Sequence, residues 1–269
     1  MEQALELGCP TVKFFPASAA GGSWLTDRSL AGVYAVPYPL TDDELPRLDV
    51  LAEAPARHGL SLAAIYANVD LAHPAESPEG RRLSALFERT AGVLRIELSF
   101  KCSDPNVFSS LSSARALDDT LLSRLNPLLA LATRRGIDVE LYPHSFYPLE
   151  TPAHAARLVH RAAHPRLSYL FATSHVYALS TPVETLAQLI SCVSEISSFN
   201  VCGCRRSAPG PRAKCAHFPL DEGDLALAPL FGALNAGAYV GDVIVQGHGW
   251  RGDLPAMLRR CIEQVSEHV

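Results

Sequence analysis

The sequence predicts a (β/α)8 barrel. Eight short runs rich in Val, Ile, Phe and Tyr recur along the chain, each bounded by Gly, Pro, Ser or Asp. Helical patterns stand between most of them, the alternation expected of a parallel sheet wrapped by helices. The runs are apolar on nearly every residue, as strands are when both faces are covered. A length of 269 residues suits one such barrel in a single domain, residues 1–269.

The strand candidates, in order, are TVKFF (11–15), GVYAVPY (32–38), LSLAAIYA (60–67), GVLRIELSF (92–100), IDVELYP (137–143), LSYLFAT (167–173), SFNVCGC (198–204) and GDVIVQG (241–247). Residues 16–31 leave room for only a short helix after the first. TDDELPRLDVLAEAPARHG has a cap at Thr41 and stops at Gly59. SPEGRRLSALFERTAG stops at Gly92, and ARALDDTLLSRLNPLLALATRRG ends in two arginines and Gly136. TPAHAARLVHRAA opens on Thr151-Pro152 and TPVETLAQLISCVSEI on Thr181-Pro182, each an N-cap followed by proline in the first turn. LAPLFGALNAGAY and DLPAMLRRCIEQVSEHV complete the set.

Composition narrows the function. The formal net charge is -5 and no block of Lys or Arg exists, which argues against a nucleic-acid partner. No apolar run is long enough to span a membrane, and the N-terminus does not read as a signal peptide. Seven cysteines at irregular spacing argue against a disulfide framework and for a reduced, cytoplasmic setting. The expected partner is a small-molecule substrate, and assembly into a homo-oligomer stays open. Neither a P-loop nor a dinucleotide fingerprint is present, so ATP and NAD are not expected.

Barrel chemistry sits at the C-terminal ends of strands. Glu140 lies inside a strand run, where acids are uncommon and an unpaired buried carboxylate is costly, so a base or an ion pair is expected there. His175 and His248 stand at later strand ends and are the other acid–base candidates. Gln246 and His248 alternate on the last strand and share a face. His144, Lys101, Arg206, Gln246 and Trp250 are candidates to bind hydroxyl, anionic or apolar parts of a substrate. Cys202, Cys204 and Cys215 match no strong zinc spacing and read as buried thiols.

The second half resembles the sugar phosphate isomerase/epimerase family, the barrels similar to xylose isomerase. The likeness runs through DVELYPH, HPRLSYLFATSH, NVCGCRR and PLDEGDLALAPLFGALNAGAYVGDVIVQ, and covers roughly residues 90–265. The resemblance implies a divalent metal (Mn²⁺, Mg²⁺ or Zn²⁺) held by Glu, Asp, His and Glu at strand ends, with the glutamates moving protons between adjacent carbons. Carried over by position, these fall on Glu140, Ala172, Cys204 and Gln246. Alanine binds no metal, and glutamine is neutral and a poor proton acceptor. The expectation is therefore an altered or absent metal site. Acid–base proton transfer on a small oxygenated metabolite would follow, as an isomerase, epimerase, or lyase/dehydratase.

Two other readings compete. ALELGCPTVKFFPASAAGG resembles the lysine strand of the 2-keto-3-deoxy-6-phosphogluconate aldolase family, which implies a Schiff base on Lys13. A barrel that lost its ligands would instead keep only a binding role.

Overall fold

The computed structural model describes residues 11–14, 32–35, 61–89, 95–111 and 113–268. Side chains are described in all of these except residues 11–14, 32–35, 61–63 and 254–255. Ten strands occur in these residues: β1 Thr11–Phe14, β2 Gly32–Ala35, β3 Ser61–Asp70, β4 Arg95–Lys101, β5 Asp138–Leu141, β6 Leu167–Ala172, β7 Ser198–Val201, β8 Gly203–Arg206, β9 Cys215–Phe218 and β10 Asp242–Gln246. The helices are α1 Pro78–Arg89, α2 Pro105–Ser110, α3 Ala114–Arg135, α4 Pro152–Ala162, α5 Thr173–Leu179, α6 Pro182–Cys192, α7 Ala228–Ala236 and α8 Leu254–His268. The helix expected over 41–59 lies outside the described residues. Contacts group the chain into two compact units, 34–169 and 1–33 with 170–269.

In the unit of residues 34–169, β3, β4, β5 and the first half of β6 form a parallel sheet. The register aligns Tyr66, Glu97, Glu140 and Ser168 in one row. Because side chains alternate, that row and Asn68 with Ser99 share one face. Ile65, Ile96, Leu98, Phe100, Val139 and Leu141 are fully buried on the other. Helix α3 covers that side with Leu121, Leu125 and Leu129. Its start is fixed by Ser113, whose hydroxyl accepts from the Ala116 N–H at 3.1 Å.

In the other unit, β10 pairs in parallel with β7, which pairs in parallel with Leu170–Ala172 of β6. Phe171 stacks on Phe199, and Phe199 meets Phe231 of α7 edge-on, a buried aromatic line that ties helix to sheet. The expected starts of two helices hold, one in each unit. Thr151 caps α4, accepting from the His154 N–H at 3.2 Å. Thr181 caps α6 in a full capping box with Glu184.

Three features depart from the sequence expectation. Strand β1 pairs with β10 antiparallel, not parallel. No crossover leads from β10 to β1, so the connection that enforces parallel pairing elsewhere does not constrain this pair. The run SFNVCGC is not one strand. β7 stops at Val201, and Gly203–Arg206 turns off as β8 to pair antiparallel with β9. Helix α5 follows β6 directly, so His175 lies in the first turn of a helix and not on a strand end. Among the described residues, no helix is long and apolar enough to cross a membrane.

Candidate functional site

Each unit gathers polar side chains beyond the middle of its strands. In residues 34–169 the cluster starts with Tyr66, Asn68 and Ser99. The Tyr66 hydroxyl meets Ser99 Oγ and donates to Asn68 Oδ1 at 3.1 Å, and Ser99 Oγ donates to the same oxygen at 2.7 Å. Burial pushes the Tyr66 phenol far up, which keeps it a neutral donor. Tyr142, the residue after β5, packs edge-on against Tyr66 with centroids 5.1 Å apart.

His144 continues this aromatic set. It stacks on Tyr147 at 3.9 Å and its Nδ1 lies 2.9 Å from the Ser145 carbonyl. A carbonyl only accepts, so Nδ1 carries the hydrogen and Nε2 is the basic nitrogen. The loop holding it is closed by its own bonds, from His144 N–H to the Leu149 carbonyl and from Phe146 N–H to the Glu150 carboxylate, both at 2.9 Å.

Glu140 is fully buried, and Arg95 Nη1 lies 3.3 Å from both of its oxygens. Arg95 opens β4 and is registered with Asp138, two residues before Glu140. The carboxylate therefore leans toward the N-terminal end of the sheet. Lys101, at the far end of β4, is 3.6 Å from Asp70. Burial pushes the Asp70 carboxyl up, but the Ser103 and Ala72 N–H groups and Lys101 outweigh it and hold it below its ordinary value.

In the other unit, three imidazoles are successive neighbours. His175 of α5, 8% exposed, lies 6.3 Å from His217 of β9, and His217 lies 5.8 Å from His248 beyond β10, each pair edge to face. His217 is half-buried and His248 is exposed. Opposite His217 in the β8–β9 register is Cys204. Its Sγ is 3.6 Å from that of Cys202, and both residues are fully buried. The neighbouring Cys202 thiol and burial push the Cys204 thiol well up.

The DEGD turn is held against β8. The Asp224 N–H donates to the Cys204 carbonyl at 2.6 Å, and the Asp224 carboxylate accepts from the Arg206 N–H at 3.0 Å. A Cβ on Gly223 would stand 2.6 Å from Cys204 backbone atoms, at a φ of +118°. One on Gly203 would stand 2.0 Å from the Pro219 carbonyl oxygen. Two glycines therefore let the turn and the strand touch backbone to backbone.

Arg206 is tied down: its guanidinium donates to the Tyr177 and Ser180 carbonyls and lies over the Tyr177 ring at 3.8 Å. Gln246 ends β10, and Trp250 follows in a turn closed onto Gly247. The structure thus brings His175 and His248 together around a histidine that sequence reasoning did not single out. His217 sits in CAHF, and only a period-two reading of that run beside Cys204 could have flagged it. Tyr66, Ser99 and Arg95 were likewise missed as polar partners. The side chain of Lys13 lies outside the described residues. Among the described residues, no group of three or more His, Cys, Asp and Glu is arranged to hold a metal ion.

Parallel strands with helices between them, and polar clusters gathered on strands and the loops after them, define an α/β barrel of the TIM class. The chain belongs to the xylose isomerase-like TIM barrel family, whose model matches residues 1–261. Solved structures agree on the fold. The 3-keto-D-glucoside 4-epimerase YcjR from E. coli is 18% identical, with a TM-score of 0.62 over 84% of this chain and 86% of that one. A xylose isomerase-like TIM barrel protein from Mycobacterium smegmatis in complex with magnesium is 15% identical, with a TM-score of 0.60 over 90% and 85%. A D-tagatose 3-epimerase-like protein is 14% identical, with a TM-score of 0.58 over 89% and 90%. Among curated proteins the chain has no match.

Proposed function

We propose that this protein is a sugar isomerase/epimerase-like enzyme that moves a proton at the carbon beside a carbonyl, using histidine as acid and base. One observation carries the reading: His217 stands between His175 and His248 at 6.3 and 5.8 Å. Imidazole takes and returns protons near neutral pH, which a reversible isomerisation needs. One imidazole removes the proton from carbon, leaving an enediolate. The proton is then returned to the opposite face, or to the neighbouring carbon, so the reaction is redox-neutral.

Family membership and the likeness to barrels described as epimerases support the substrate class. Glu140 lies in the other unit with its carboxylate engaged by Arg95, so the proton transfer rests on the histidines alone. The positions that the family resemblance gives to metal ligands hold Glu140, Ala172, Cys204 and Gln246. An alanine, an amide and a thiol pushed above its ordinary range do not fit a hard divalent cation, so no step is drawn through a metal. Arg206, Gln246 and Trp250, in the same unit as the three histidines, remain proposed substrate contacts.

Solvent exchange tests the reading. Purified protein in D₂O is incubated with D-tagatose, D-fructose and a 3-keto-glucoside, and deuterium at the carbon beside the carbonyl is followed by NMR. Protein-dependent exchange is expected, falling more than about tenfold in His175→Asn and His248→Asn. Folded protein that exchanges none of these, or variants that exchange as fast as the parent, would overturn it. A borohydride-trapped ketone adduct on Lys13 would favour the aldolase instead.

A further inference from the structure

A cavity lies within the unit of residues 34–169, at the strand ends beyond Asn68. It measures about 270 Å³ and opens between the C-terminal ends of β3 and β4, the loop over 71–77, and helices α1 and α3. Its walls include Val69, Leu83, Leu86 and Leu128. Ala67 and Val69, on the helix side of β3, line it with residues of α1 and α3, so the space reaches between sheet and helices, while Asn68, Asp70 and Lys101 line it at the strand ends.

The loop is seated on α1. A Cβ on Gly80 would stand 2.3 Å from the Ala75 carbonyl oxygen, so only glycine lets the loop close over the helix here. That packing is supported by bonds from the Gly80 N–H to Ser77 Oγ and from the Ser77 N–H to the Pro74 carbonyl. The cavity is thus framed by fixed backbone.

Charge around it does not cancel. Arg82 is paired with Glu79 at 2.9 Å and Lys101 with Asp70 at 3.6 Å. Arg124 of α3 is the third cation lining the space. Among the described residues it meets no carboxylate, and its Nη2 donates to the Leu71 carbonyl at 3.3 Å. That bond holds the guanidinium at the cavity wall and leaves other N–H donors for a ligand.

We propose that this cavity binds a small monocarboxylate with an apolar body, its carboxylate on Arg124 and its chain between Leu83, Leu86 and Leu128. One uncompensated cation calls for one negative charge. The volume falls just below the range of about 300–1,000 Å³ that suits drug-sized ligands, so the ligand is small. Leu83, Leu86 and Leu128 favour an apolar ligand body over a polyhydroxylated sugar, which sets this ligand class apart from the one proposed for catalysis.

Methyl NMR on the intact protein tests it, with octanoate, octanol and octylammonium as probes. Octanoate is expected to shift the Leu83, Leu86 and Leu128 methyls and to saturate, with octanol binding at least about tenfold more weakly, the worth of one charge-assisted hydrogen bond. Octylammonium should bind more weakly still. Arg124→Gln should reduce octanoate affinity by about the same factor and leave octanol unchanged, while Arg124→Lys keeps most of it. Equal binding of octanoate and octanol, no effect in Arg124→Gln, or no shift at the three leucines would overturn the proposal. Should Arg124→Gln unfold, the three-probe series and Arg124→Lys still decide.

Discussion

Arg95 holds both carboxylate oxygens of Glu140 at 3.3 Å across two neighbouring strands, with Glu140 fully buried and Arg95 19% exposed. A carboxylate inside a sheet is costly unless matched, and here the match comes from the opening residue of the adjacent strand. Arg95→Ala should therefore destabilise the fold by about 3–5 kcal/mol, because a buried charge is left behind. The double variant Arg95→Met, Glu140→Leu should recover most of that loss. Urea unfolding of the three proteins measures it, and a double variant no better than Arg95→Ala would show that the pair does more than cancel charge.

Asp118 ties α3 to α4. It accepts from Arg157 at 2.8 and 2.9 Å, from His154 at 2.8 Å and from Arg161 at 3.1 Å. Arg157, working against a smaller effect of burial and with His154 and Arg161, holds its carboxyl far below the usual range. Burial, partly offset by Asp118, lowers the His154 imidazole. Both folded values lie below the unfolded ones, so the unfolded chain binds the extra protons and stability falls as pH falls. The loss should begin below about pH 6.5, where unfolded His154 charges, and resume below about pH 4, where unfolded Asp118 protonates. Asp118→Asn should cost about 1–2 kcal/mol at pH 7 and flatten the lower step. The estimate stays below that for a wholly buried pair because Arg157 and Arg161 are 47% and 37% exposed. Thermal unfolding from pH 3 to 8 reads both.

Burial pushes the thiols of Cys192, Cys215 and Cys261 up to about 12. The thiolate is the reactive form, so these cysteines and Cys204 should resist iodoacetamide at pH 8 in the folded protein, as should Cys202 because no reagent reaches its wholly buried side chain. Peptide mapping after labelling should find them modified only once denaturant is added. Labelling of Cys204 at the rate of a free thiol would contradict the buried pair.

Gly223→Ala meets two penalties at once, a left-handed φ and a collision with Cys204 backbone. A loss of about 2–3 kcal/mol is expected, with faster hydrogen exchange at the Asp224 amide, which bonds to Cys204. Unchanged exchange there would mean that the turn does not depend on this contact.

The sheet was legible because period and punctuation agree. GVLRIELSF and GDVIVQG carry their strands to within a few residues, and Thr151-Pro152 and Thr181-Pro182 mark the helix starts that form. What the chain does around Cys202 was not legible. Gly203 reads as an ordinary strand end, yet it lets β8 leave the sheet because Pro219 and Glu222, far along the sequence, pack where a side chain would stand. The partner of Glu140 was hidden for a related reason. Register between strands, not spacing along one, puts Arg95 beside it. His217 was missed because β9 exists only by pairing with β8, and an isolated run of four residues carries little signal.

The loop between β5 and α4 is fastened at both ends and bonded within itself, from His144 to Leu149 and from Phe146 to Glu150, before Thr151 starts the next helix. Such a loop can exchange Phe146, exposed at its tip, or the His144–Tyr147 stack without moving the strand before it or the helix after it. It is a replaceable cassette, and variation in what the protein recognises has a place to arise without a new fold.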